Sequence, residues 1–110
     1  MLKRARKAEY PAKVRKKIHS RDHESCFFCS RDYHTEYACG GLQVMHIVPR
    51  SQGGLGVEQN GVLGCAGHHA LMDNGNKGLR TEMIGMLEDY MKRKYPGWSR
   101  ESVTYRKYDF

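Results

Sequence analysis

The sequence lacks long hydrophobic runs, and no apolar stretch approaches the roughly 20 residues that span a bilayer. Its N-terminus is basic but has no apolar segment of the kind found in secretory signal peptides. We therefore expect a soluble, cytoplasmic protein with no membrane partner. The chain also lacks internal repeats, and its 110 residues suffice for one compact domain but not for two.

Apolar residues are scarce overall. The hydrophobic share is 39%, against 28% charged residues, and there are 12 glycines. This composition predicts a modest core with many turns. A bound metal ion would add to the folding stability of such a small core.

The positive charge is concentrated at the N-terminus. Residues 1–22 contain nine Lys or Arg and two acidic residues, so this segment carries the whole net charge of +7. Pro11 is suited to open a helix over about 11–20, with Val14 and Ile18 on one apolar face. Such a segment is typical of an arm that binds nucleic acid, and the alternative is a solvated, solubilising face. The side chains expected to contact nucleic acid are Lys13, Arg15, Lys16 and Lys17.

The rest of the chain predicts an α+β fold. "LQVMHIV" and "GVLG" favour strands, and a helix is expected from His68 to about Asn74. Another helix is expected from an N-cap at Thr81 to about Tyr95, with its methionines in the core. The predicted organisation is a single domain with a basic arm and helix at 1–22, a core at 23–80 and a C-terminal helix and tail at 81–110.

Two short cysteine motifs predict a structural zinc site. Cys26-Phe-Phe-Cys29 and Cys65-Ala-Gly-His68 share a two-residue spacing, and together they supply a Cys₃His set for a closed tetrahedral ion. Cys39 is the competing fourth ligand in place of His68. A lone C-x-x-C is also a redox motif, and four cysteines could form two disulfides in a secreted protein.

The histidine next to His68 is then left for another role. His69 and Asp73 are four residues apart, so they lie on one helical face and could bind one divalent cation. A plain surface hydrogen bond is the alternative. His46 at the predicted first strand and Asn60 before the second add two further polar candidates.

These residues carry a family resemblance. The set "HIVPRSQGG…N…CAGHH", with C-x-x-C upstream, resembles the zinc-stapled HNH endonucleases over about residues 12–76. The whole chain is more loosely similar to small HNH proteins of bacteriophages and prophages. The resemblance implies a ββα-metal fold and hydrolysis of double-stranded DNA, by nicking or cutting with low sequence specificity. It also implies cooperation with phage DNA-packaging (terminase) proteins; a monomer is favoured.

The same resemblance implies roles for single residues. His46 is expected to be the general base, Asn60 to pin the loop that carries it, and His69 to bind a catalytic cation with Asp73 one turn later. A neutral imidazole can take a proton from water, and Mg²⁺, Mn²⁺ or another divalent cation can neutralise charge on the phosphate. Arg50, just beyond His46, is expected to contact a phosphate, and the alternative is an exposed arginine with no special task.

Met45 departs from the family pattern. The residue before the base is usually Asp, Glu or His and helps to hold the cation, whereas a thioether is a poor ligand for Mg²⁺. Three interpretations remain open: a cation held by His69, Asp73, water and substrate; a weak or metal-fastidious enzyme; or an impaired variant. The last leads to an alternative function, a zinc-finger DNA-binding module whose nuclease site has decayed.

Overall fold

A computed structural model of the chain describes residues 10–74 and 78–105. The helices are α1 (Ala12–Arg21), α2 (Ala66–Asn74) and α3 (Arg80–Lys94), and the strands are β1 (Leu42–His46) and β2 (Gly61–Cys65). Short 3₁₀ turns occupy several of the connections. The predicted α+β class is confirmed. Residues 1–9 of the predicted basic arm and helix lie outside the described residues.

The two strands form an antiparallel hairpin that leads directly into α2. Leu42 faces Cys65 at one end of the ladder and His46 faces Gly61 at the other. β2 is buried along its whole length, so its glycines and apolar residues are covered on both faces of the sheet. The order strand, strand, helix therefore places the end of β1 close to the first turns of α2.

One face of the sheet is covered by α1. Ile18 is fully buried, and it packs with Tyr10 and Leu63 in a small apolar cluster that Val14 and Val44 border. The predicted helix with an apolar Val14–Ile18 stripe is thus confirmed. The helix begins after Pro11, whose φ of −59° is already helical and whose missing N–H needs no partner there.

The other face carries the main core. Met45, Met72, Met83, Leu87 and Met91 are all fully buried, which confirms that the methionines of α3 pack in the core. Flexible thioether side chains fill the irregular space between two helices and a two-stranded sheet.

The C-terminal segment docks on this core through two buried side chains, Trp98 and Val103. Trp98 is buried and donates its indole N–H to the Gln59 carbonyl at 2.8 Å. Tyr105, in contrast, is exposed. Residues 106–110, including the basic Arg106 and Lys107, lie outside the described residues.

A buried ion pair ties α1 to the sheet and to α3. Arg21 donates to the carbonyls of Glu58 and Gly61, at 2.7 and 2.6 Å. Asp22 accepts from the Leu63 N–H at 3.0 Å and from the Tyr90 hydroxyl at 2.6 Å. Burial alone would raise the pKa of Asp22, but these bonds and Arg21 hold it below its usual value.

Three element boundaries differ from prediction. β1 ends at His46 rather than continuing through Val48, because the next two N–H groups bond to the Asn60 carbonyl and side chain instead of to β2. α2 begins at Ala66, two residues early. Thr81 is not the N-cap of α3: the Leu79 carbonyl already accepts the first helical bond, from Met83 at 2.9 Å. None of the described helices is both long enough and apolar enough to cross a bilayer.

Candidate metal centre and active-site cavity

Four ligand atoms of Cys26, Cys29, Cys65 and His68 converge within 4.8 Å of one another. His68 Nδ1 lies 3.6 Å from the sulfurs of Cys26 and Cys29 and 3.3 Å from that of Cys65. Ligands at 2.0–2.3 Å from a tetrahedral Zn²⁺ are roughly 3.5–3.8 Å apart. The cluster can therefore hold a metal ion such as zinc, as the spacing of the two motifs predicts.

Local backbone geometry presents each pair of ligands. The Cys29 N–H points at Cys26 Sγ (3.4 Å), and the His68 N–H points at Cys65 Sγ (3.5 Å). Between the second pair stands Gly67, where a Cβ would clash with the Tyr37 carbonyl. The tight C-x-x-H turn at the start of α2 thus requires glycine at this position.

The imidazole of His68 is oriented by a second contact. Its Nε2 lies 2.7 Å from the Tyr33 carbonyl, which can only accept. Nε2 therefore carries the proton, and Nδ1 presents its lone pair to the three sulfurs. This is the tautomer that metal ligation needs.

The thiols perturb one another strongly. Burial and the neighbouring Cys26 and Cys65 raise the pKa of Cys29 to about 12. Burial alone would also raise the pKa of Cys65, but hydrogen bonds from the backbone N–H groups of His68 and Cys39 lower it to about 6. Crowded thiolates repel one another, and a divalent cation removes that repulsion. Cys39 itself is exposed and stands outside the cluster, so His68 is the fourth member.

A second group of predicted residues meets at an open cavity of about 440 Å³. His46 comes from the end of β1, and His69 and Asp73 come from consecutive turns of α2. Arg50, from the loop after β1, and Arg80, from the first turn of α3, also line the cavity. The hairpin-to-helix connection is what brings these distant positions together.

His69 is held between two partners. Its Nδ1 lies 2.6 Å from Gln43 Oε1, and its Nε2 lies 3.0 Å from Asp73 Oδ2. The contact with Asp73 has the length of an ordinary hydrogen bond, the alternative that the spacing left open. Among the described residues, no third potential ligand converges with this pair.

His46 is positioned by Tyr10. The two rings lie 4.7 Å apart between centroids and are inclined at 45°, and the Tyr10 hydroxyl donates to the Asn60 carbonyl at 2.6 Å. Among the described residues, the converging groups of three or more potential ligands do not include His46. It shares the cavity with His69 and Asp73.

Asn60, directly before β2, is fully buried. Its Oδ1 accepts from the Val48 N–H at 2.9 Å, while its Nδ2 donates to the carbonyls of Val48 and Leu55, at 3.1 and 2.9 Å. One amide thus fastens both ends of the loop that follows β1. These contacts suit a residue that holds a loop in place; its importance for catalysis stays a prediction.

Met45 points away from the cavity. It is fully buried, its sulfur packs over the backbone of Gly64, and a Cβ at Gly64 would clash with it. Met45 is not among the described residues that line the cavity. Position 45 therefore contributes an apolar side chain to the core and no ligand.

The predicted nucleic-acid contacts lie at the surface. Lys13, Arg15, Lys16, Lys17 and Arg50 are exposed. Arg15 donates to the Tyr10 carbonyl at 2.6 Å, and Lys17 lies 3.7 Å from Glu58.

Sequence reasoning missed three residues around the cavity. Gln43 contacts His69, Tyr10 stacks on His46, and Arg80 lies 3.4 Å from Asp73. For Gln43 a signal existed, because strand alternation places it on the same side of β1 as Met45. Tyr10 and Arg80 reach the cavity through tertiary contacts that no local pattern reveals.

Comparison of the chain with protein-family models, curated proteins and solved structures gives no match. Assignment of a function therefore rests on the residues and their geometry.

Proposed function

We propose that the chain is a metal-dependent endonuclease of the HNH type that hydrolyses phosphodiester bonds of double-stranded DNA. The observation that carries the proposal is the cavity in which His46, His69 and Asp73 meet across a ββα unit. Among the described residues, His46 has no ligand position in common with His69 and Asp73. We therefore assign proton transfer to His46 and cation binding to the His69–Asp73 pair. We also propose Zn²⁺ as the resident ion of the Cys₃His cluster, because three sulfurs and one imidazole match its preferences.

The proposed roles follow from position and chemistry. His69 and Asp73 would hold a divalent cation such as Mg²⁺ or Mn²⁺, which would neutralise charge at the scissile phosphate when bound. His46 accepts a proton from the attacking water, and Tyr10 keeps its ring in place. Arg50 and Arg80 supply positive charge at the cavity wall, and the exposed lysines of α1 contact the DNA backbone.

A nicking assay tests this proposal. Supercoiled plasmid is incubated with the zinc-loaded protein and added Mg²⁺, Mn²⁺ or Ni²⁺, and the initial rate is compared with that of His46→Ala. Loss of a general base costs about 10²- to 10⁴-fold in rate. His34→Asn is the matched control, because His34 is exposed at φ 42°, a conformation that Asn tolerates. Equal cleavage by His46→Ala and the parent would show that the base is misassigned.

The burial of Met45 favours a second candidate function, a DNA-binding module with an impaired nuclease site. With position 45 in the core, the described protein ligands of the cation site are His69 and Asp73 alone. Such a module would bind duplex DNA in a salt-sensitive manner and leave plasmid intact with every metal tested. Metal-dependent cleavage that His69→Ala abolishes would exclude it.

A further inference from the structure

A separate cavity of about 350 Å³ lies between the end of α1, the Cys26–Cys29 turn and α3. It shares no described lining residue with the cavity of His46 and His69. Two aromatic rings, Phe27 and Tyr90, and two cationic side chains, Arg31 and Lys94, form part of its wall. Neither Arg31 nor Lys94 belongs to the residues for which the sequence predicts a nucleic-acid contact.

The charge of this cavity is positive. Asp22 is the one acidic side chain among its described lining residues, and it is already engaged by Arg21, Tyr90 and the Leu63 N–H. The Arg21–Asp22 pair is neutral as a whole. Within residues 10–74 and 78–105, Arg31 and Lys94 form no ion pair. Two unpaired positive charges therefore face the cavity.

Arg31 is held in a fixed orientation. Its guanidinium carbon lies 3.6 Å from the centroid of the Phe27 ring, and its Nη1 donates to the Phe27 carbonyl at 3.1 Å and to Ser30 Oγ at 3.3 Å. Among the described residues, Nε and Nη2 have no hydrogen-bond partner. A stacked arginine with donors left over is pre-organised for a planar, two-point contact with an oxyanion.

We propose that this cavity binds a phosphate group of the DNA backbone, as an anchoring contact apart from the cleavage site. The proposal rests on DNA as the proposed ligand but not on cleavage. Arg31 donates hydrogen bonds to the phosphate oxygens from Nε and Nη2, and Lys94 contributes a second positive charge. The neutral Arg21–Asp22 pair forms the floor and does not compete for the anion.

Fluorescence anisotropy with a labelled duplex, without added divalent cation, tests the cavity. We expect Arg31→Ala and Lys94→Ala each to weaken binding about 3- to 10-fold and to reduce the slope of log K against log salt by about 1. Lys92→Ala is the matched control, because Lys92 is an exposed cation of α3, the helix that carries Lys94, and does not line the cavity. Unchanged zinc content shows that each variant is folded.

The outcomes separate this proposal from the nuclease. If the parent binds DNA and both cavity variants match Lys92→Ala, the anchoring site is wrong and the cleavage site is unaffected. If the cavity variants weaken binding while no protein cleaves plasmid, the anchoring site stands and the nuclease proposal fails. A third arm titrates inorganic phosphate and follows the Arg31 Nε–H signal by NMR. If phosphate shifts the Arg31 signal while Arg31→Ala and Lys94→Ala bind DNA as the parent does, the cavity binds free phosphate. The proposed DNA contact would then be wrong.

Discussion

Two neighbouring histidines of α2 belong to sites of opposite construction. His68 is fully buried and completes a cluster of four soft or borderline donors. His69 is partly exposed, with a side-chain exposure of 24%, and its partner Asp73 is 53% exposed. A closed set of four protein ligands leaves no position for a substrate, whereas His69 and Asp73 lie at the wall of an open cavity. One short helix therefore carries one histidine in a buried cluster and the next at a surface cavity.

The helix itself produces this division. Successive side chains are about 100° apart around the axis, so adjacent residues cannot face the same environment. His68 points towards the Cys26–Cys29 turn, and His69 points towards β1, where Gln43 meets it at 2.6 Å. Each histidine also has its own orienting contact, a backbone carbonyl in one case and an amide oxygen in the other.

The largest predicted effect separates the two histidines directly. His68→Ala removes one ligand of the proposed zinc ion, and because a structural zinc contributes roughly 10–16 kcal/mol to folding, its loss outweighs the stability of a small domain. We expect zinc stoichiometry to fall from one to near zero and the cooperative thermal transition to disappear. His69→Ala is expected to keep both. Metal analysis and circular dichroism measure the outcome, and a folded, zinc-free His68→Ala protein would contradict it.

Met45 offers the next largest effect. A carboxylate at this fully buried position has no partner, so we expect Met45→Asp to destabilise the fold by about 4 kcal/mol. Met45→Leu keeps the volume and should cost about 1 kcal/mol or less. Urea denaturation measures both. If Met45→Asp instead retains stability and cleaves plasmid faster than the parent, the side chain at position 45 reaches the cation and lines the cavity.

Asn60 connects the cavity to the core. Asn60→Ala leaves the Val48 N–H and two carbonyls without their buried partner, at a cost of about 3 kcal/mol. Asn74→Ala, at the exposed end of α2, should change stability by less than about 0.5 kcal/mol. Urea denaturation measures both variants. Similar stabilities would show that Asn60 does not hold the loop after β1 in place.

The smallest effect tests how His69 is oriented. Gln43 is exposed, so Gln43→Ala should leave stability unchanged but weaken Mn²⁺ binding about 10- to 100-fold, as loss of an orienting partner does. Gln43→Glu retains an acceptor oxygen and should restore the affinity. Titration with Mn²⁺ followed by EPR measures the constants. Equal affinity in the parent and Gln43→Ala would show that the amide contact does not orient the ring.

Local spacing made the metal cluster predictable. Cys26, Cys29, Cys65 and His68 form two short motifs, and the tight turn within each pair presents both ligands on the same side. The apolar face of α1 and the methionine core of α3 were predictable for a similar reason, since helical periodicity is local. The start of α3 was not, because Leu79 acts through its carbonyl and leaves no side-chain signature.

The sequence alone determined the α+β class, the order of the elements and the candidate metal cluster, because spacing and periodicity act over a few residues. Only the tertiary structure decided what surrounds the second histidine. The register of β1 against β2 turns Met45 into the core and Gln43 towards His69, and the position of α1 lays Tyr10 on His46. These contacts join residues far apart in the chain, so which side chains meet follows from packing, even where strand alternation already indicates the side of the sheet.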